Sequence, residues 1–179
     1  MEPLITFLDT DDDVITAQTV VHGASAEEIY ALISNPRRHH ELDGSGTVRR
    51  QVKGPEHPGV GEKTTQHMRM FGIPYRMTST VTRAEPGRAF AWRMPTGHLW
   101  SWEILPASVT GAGEGHGHEG AGLIIRETFD ASQARLFGLP LAGLFRLNGA
   151  FTRNREGIAK SLARMHRRFS RSEGAGGAE

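Results

Sequence analysis

The chain has 179 residues, enough for one domain that buries a substantial core. Its 21 Lys and Arg against 20 Asp and Glu leave a formal charge of +1, so no net field argues for nucleic acid or an anionic membrane. The absence of cysteine excludes disulfides, thiolate metal sites and cysteine nucleophiles, and fits a reducing compartment.

Residues 1–12 form an N-terminal segment, MEPLITFLDTDD, without the cationic start and apolar run of a signal peptide. No window approaches the roughly 20 apolar residues of a membrane helix, so a soluble, cytoplasmic protein without stable membrane insertion is expected. DVITAQTVVHG (13–23) is rich in Val, Ile and Thr and predicts a first strand. Ser25 with Glu28 makes a capping box, Ile29, Leu32 and Ile33 an apolar helical stripe, and Pro36 the stop. The stretch RRHHELDGSG (37–46) groups His39, His40, Glu41 and Asp43 in a way that suggests metal. Adjacent histidines point to different sides, however, so a short helical piece running into a Gly-Ser-Gly turn is expected instead.

Strands are predicted for TVRRQVKG, EKTTQHMRMFG, PYRMTSTVTRAE, GRAFAWRMP, HLWSWEIL and GLIIRETFDA, separated by turn residues. Residues 107–121 are too glycine-rich to order themselves and read as a mobile loop; glycine also argues against a metal on His116, His118, Glu114 and Glu119. From Leu141 to Phe169 the spacing predicts one long helix, with Leu144, Phe151, Ile158, Leu162, Met165 and Phe169 on a stripe. The tail, 170–179, is expected to be disordered.

This order of elements, with the SAEEIYALISNPRRHHELDGSG segment, resembles the START-like superfamily of polyketide cyclases, dehydrases and lipid-transfer proteins (SRPBCC). The resemblance covers about residues 13 to 169. It implies an α+β helix-grip fold, in which a curved antiparallel sheet of about six to seven strands wraps a long C-terminal helix and leaves a cavity. It implies a hydrophobic small molecule (a lipid, isoprenoid or polyketide) as partner, and no cofactor or metal. In such proteins the 37–46 stretch borders the cavity, which makes His40 a candidate ligand contact.

By strand alternation, Phe90, Trp92 and Met94 share one face, as do His98, Trp100 and Trp102. With Met68, Met70 and Met77 they form a methionine- and aromatic-rich surface suited to core packing or to a bulky apolar ligand. Asn148 and Arg155 interrupt the helical stripe with Phe151. Either they are satisfied structurally, Arg155 pairing with a carboxylate such as Glu127, or they orient a polar group on the ligand. His98, Glu127 and Tyr75 are candidate acid–base residues, although a single inward histidine or glutamate is more often structural. Three readings follow. The first is a carrier of a hydrophobic molecule, as monomer or homodimer. The second is a cyclase, aromatase or dehydratase. The third is an adaptor using the arginine-rich C-terminal helix (Arg153, Arg155, Arg164, Arg167, Arg168, Arg171). No phosphate loop, nucleophile elbow or basic–aromatic nucleic-acid surface is present.

Overall fold

A computed structural model of the protein describes residues 3–107 and 122–170; the glycine-rich stretch and the tail, with the expectations attached to them, lie outside the described residues. The chain runs β1 (Thr6–Phe7), β2 (Val14–Val21), α1 (Ala26–Ile33), a 3-10 turn (Pro36–Arg38) and α2 (His39–Leu42). Then come β3 (Val48–Lys53), β4 (Lys63–Met70), β5 (Ile73–Glu85), β6 (Ala89–Arg93), β7 (Leu99–Pro106) and β8 (Leu123–Asp130). A small hairpin, β9 (Arg135–Leu136) and β10 (Leu139–Pro140), leads into α3 (Ala142–Leu147) and α4 (Ala150–Ser170).

The eight-stranded sheet is antiparallel throughout, in the order β1-β2-β8-β7-β6-β5-β4-β3. Seven of its strands fall where alternation predicts them. The eighth is β1, which lies in the N-terminal segment and pairs Thr6 with Gln18 and Phe7 with Ala17. The long helix α4 lies across β2 and β8, burying Ile158, Leu162 and Met165 against Ile15, Ala17, Val21, Ile125 and Phe129. The sheet grips this helix, so the fold is a helix-grip α+β fold.

At its start α1 carries the expected box: Glu28 N–H donates to Ser25 Oγ (3.1 Å), and Ser25 N–H donates to Glu28 Oε2 (2.8 Å). The predicted single helix from Leu141 is instead two. Gly149 sits at φ 73°, and the Asn148 side-chain oxygen takes the Ala150 N–H at 3.0 Å. A left-handed glycine after a residue whose amide competes for backbone donors stops α3 and restarts the helix in a new direction. Leu144 consequently leaves the stripe and is 51% exposed, and Pro140 belongs to β10 rather than to a first helical turn.

Candidate functional site

On one side of α4 the sheet packs directly on the helix. On the other, β3 to β6 curve away from it and enclose a cavity of about 880 Å³. That volume lies at the upper end of what small-molecule sites use. Alternation supplies the wall row by row. Thr64, Gln66, Met68 and Met70 come from β4, Tyr75, Met77, Ser79 and Val81 from β5, and Phe90 and Trp92 from β6. Met94 and His98 flank the β6–β7 turn, Trp100 and Trp102 come from β7, and Glu127 and Phe129 from β8. All three tryptophans of the chain lie in this wall. The cavity opens between the β4–β5 hairpin, where Met70 and Phe71 are exposed, and the first turns of α4.

Most of the sequence-predicted residues therefore meet in one place, but four do not. Asn148 is exposed and turns the α3–α4 corner. Arg155 lies outside the cavity with its guanidinium 3.6 Å from the Phe7 ring, a cation–π contact that ties α4 to β1. Phe151 packs edge-on against Phe129 and does not reach the cavity. His40 faces the β3 side, its Nδ1 donating to the Arg37 carbonyl (2.9 Å) and its Nε2 accepting from Arg50 (3.1 Å). The helical phase explains Arg155. The stripe facing the sheet is centred on Ile158, Ser161 and Met165, which places Asn154 and Ser161 at the cavity and carries Arg155 round to the β1 edge.

Of the two adjacent histidines, His39 is the one at the cavity. Its Nε2 donates to the Ile33 carbonyl (2.8 Å), which leaves Nδ1 as an acceptor, and its ring lies 5.0 Å from that of Trp92. Burial holds its pKa below the usual imidazole value, with the Ile33 hydrogen bond acting in the opposite direction. The rest of RRHHELDGSG divides its polar groups among separate partners. Glu41 takes Arg38 (2.9 Å) and Arg168 (2.7 Å), and the Arg38 hydrogen bond is the largest of the effects holding its carboxyl at about 2. Asp43 accepts from the N–H groups of Ser45 (3.0 Å) and Val48 (2.9 Å). A Cβ on Gly44 would collide with the Gly157 carbonyl of α4, and Gly44 N–H donates to Ser161 Oγ at 3.1 Å. This close approach makes residues 42–48 the wall that joins the sheet arm to the helix.

Two polar groups in the wall are electrostatically unusual. Glu127 is 6% exposed, and its Oε2 has no hydrogen-bond partner among the described residues. Burial raises its pKa well above the ordinary carboxylate value and the charge of Asp43 adds to the rise, while Ser161 pulls the other way. A shift in that direction favours the neutral carboxyl, the form that can donate an O–H. His98 is shifted oppositely, to about 4, by burial against Phe129 and Phe145 (ring centroids 5.5 Å from each). Its Nδ1 meets Thr96 Oγ1 at 2.7 Å. Tyr75 is half-buried, and its phenol is pushed up by burial and then by Asp43.

These groups do not converge. Leu99 pairs with Asp130 and Trp102 with Glu127, so His98 stands four residues along the sheet from Glu127, about 13 Å at strand spacing. Tyr75 lies on the projecting part of β5, beyond the end of β6. Sequence reasoning named Glu127 and His98 but missed His39, Asn154 and Ser161. The helical pair Asn154 and Ser161, seven residues apart on either side of Ile158, was the available signal.

A cavity of this kind between a curved sheet and its long helix belongs to the helix-grip fold. The sequence profile of the family described as "Polyketide cyclase / dehydrase and lipid transport" matches residues 13–170, and the chain belongs to that family. It is 37% identical over 157 residues to the uncharacterized protein Rv0088 of Mycobacterium tuberculosis, covering 87% of this chain but 64% of that protein's length. The fold is similar to that of the Polyketide_cyc-like protein Cgl2372 of Corynebacterium glutamicum (TM-score 0.55, 19% identity, 92% of this chain and 97% of that one). It is also similar to the di-domain ARO/CYC BexL of the BE-7585A biosynthetic pathway (TM-score 0.59, 16% identity, 89% of this chain and 47% of that one).

Proposed function

We propose that the protein binds a hydrophobic small molecule of lipid, isoprenoid or polyketide type in the cavity between the sheet arm and α4. The observation that carries this reading is the sheet face of the wall, where adaptable methionines (Met68, Met77, Met94) stand beside flat rings (Trp92, Trp100, Phe90) and polar groups such as Gln66, Ser79 and Glu127 are interspersed. Glu127, kept neutral, would donate to a carbonyl or hydroxyl on an otherwise apolar ligand. The adaptor reading loses ground because several of the C-terminal arginines are already engaged within the fold. Arg164 donates to the Asp43 carbonyl, Arg168 pairs with Glu41, and Arg155 stacks on Phe7.

Native mass spectrometry of protein purified from its own host tests binding. The expected result is a mass adduct released by organic solvent. A bare protein whose melting temperature also ignores every hydrophobic probe would count against the proposal. A cyclase or dehydratase reading is favoured by one observation, the buried Glu127 in the wall, whose Oε2 has no hydrogen-bond partner among the described residues. Glu127→Gln separates the two: it keeps a hydrogen-bond donor and removes proton transfer. Retained binding with lost turnover of a poly-β-keto substrate would support the enzyme, and no turnover by the parent protein would leave the carrier.

A further inference from the structure

The end of the molecule at which the cavity opens carries two hairpins of the same unusual design. In β4–β5 the turn residues are Phe71 (φ 49°) and Gly72 (φ 82°); in β9–β10 they are Phe137 (φ 50°) and Gly138 (φ 79°). Two successive positive φ angles define the tight hairpin turn in which asparagine normally precedes glycine, and a bulky aromatic there is strained. Neither phenylalanine recovers that cost by packing. Phe71 is 83% exposed and Phe137 95% exposed. Beside them Ile73, Leu136, Leu139 and Leu147 also face water.

The topology puts both tips at the same end. Val14 pairs with Asp130, Leu99 with Asp130, Arg93 with Leu99 and Thr80 with Arg93, so residues 73–79 of β5 continue past the end of β6. That overhang spans about 23 Å of strand. The β9–β10 hairpin is tied to the β6–β7 turn at this end, Arg135 N–H donating to the Thr96 carbonyl at 2.7 Å.

Charge is sorted in the same way. Near the two tips stand Arg69, Arg76 and Arg135, all exposed, with no carboxylate in residues 63–84 or 131–140; Arg83 and Arg146 are already paired with Glu85, Glu103 and Asp13. The net charge of +1 hides this local excess. The acidic run Asp9–Asp13 precedes Val14 and so reaches this same end, but at the β1–β2 edge of the sheet, away from the β4–β5 hairpin, and Asp13 there takes Arg146 out of the excess.

We propose that this end docks reversibly on an anionic lipid bilayer, with Phe71 and Phe137 in the interfacial layer, Arg69, Arg76 and Arg135 near the headgroups, and the cavity mouth turned toward the membrane. Exposed aromatic tips ringed by arginine are the combination that interfacial binding requires, apolar area plus attraction to acidic headgroups. The proposal goes beyond the ligand reading and stands whether or not the cavity is filled.

The test is cosedimentation of the full chain with sucrose-loaded phosphatidylcholine vesicles, with and without phosphatidylglycerol. Binding is expected only with phosphatidylglycerol, weakening as salt is raised. The double variant Phe71→Asn, Phe137→Asn should fold at least as well, because asparagine suits both turns, and should bind about tenfold more weakly or worse. Arg69→Gln with Arg76→Gln should weaken binding several-fold at low salt. Equal binding to both vesicles, no binding to either, or undiminished binding by the asparagine variant overturns the proposal. So does a wild-type dimer that the asparagine variant dissociates, which would make the patch an interface between copies.

Discussion

The two halves of the sheet treat α4 differently. Along β2 and β8 the inward side chains are Ile15, Ala17, Val21, Ile125 and Phe129, and the helix answers with Ile158, Leu162 and Met165, all buried. Along β4 and β5 the inward positions read Thr64, Gln66, Met68 and Met70, then Tyr75, Met77 and Ser79, and no helix covers them. Both halves obey the same two-residue period. One half closes into a core and the other stays open because of what stands at the inward positions. Branched aliphatics interdigitate with a helix, while polar groups and unbranched methionine lose little by facing a space that a ligand can fill.

The comparison can be broken by substitution. Leu162→Ala should destabilise the protein by about 2–5 kcal/mol in urea unfolding, since a fully buried leucine leaves a void. Met77→Ala, on the cavity wall, should cost less than about 1.5 kcal/mol while weakening retention of an apolar ligand. Equal costs at the two positions would mean that the arm is packed as tightly as the core.

Glu127→Gln should act in the opposite sense. The folded state holds this carboxyl above its ordinary pKa, so its stability contribution is complete below about pH 4.5 and is lost as pH rises toward the folded value. The glutamine variant should therefore be more stable than the parent at pH 7 to 8, by about 1–3 kcal/mol, and indistinguishable from it at pH 4. Thermal melts across pH check this, and a parent that keeps its full stability to pH 8 would contradict it.

The smallest effect is expected at His98, whose pKa of about 4 in the fold lies below its ordinary 6.5. Stability from this group is complete above pH 6.5 and falls as pH drops toward 4, so His98→Leu should flatten the acid limb by a few degrees of melting temperature. An unchanged acid limb would place His98 in water.

The β-rich part of the fold was legible because alternation is a two-residue code with turn residues between its words. It marked seven strands and their inward faces, including Trp92, Trp100, Trp102 and Glu127. β1 escaped because two residues carry no period. The helical half was less legible. A stripe through Leu144, Asn148 and Arg155 has plausible spacing, but Gly149 breaks the helix; Ile158, Leu162 and Met165 keep the expected face, and Asn154 with Ser161 marks the side that meets the cavity. In RRHHELDGSG composition could not say which histidine turns inward. That depends on Gly44 fitting against Gly157, a tertiary contact with no local signature.

Tryptophan fluorescence tests the central claim most directly, because every tryptophan in the chain lines the cavity. Titration with a brominated long-chain fatty acid, a heavy-atom quencher that fits an apolar site, should quench most of the emission and saturate at one molecule per chain. A cavity-filling Ser79→Phe variant should shift the curve to weaker binding. Emission that falls only slightly, or without saturation and identically in both proteins, would contradict an apolar binding cavity.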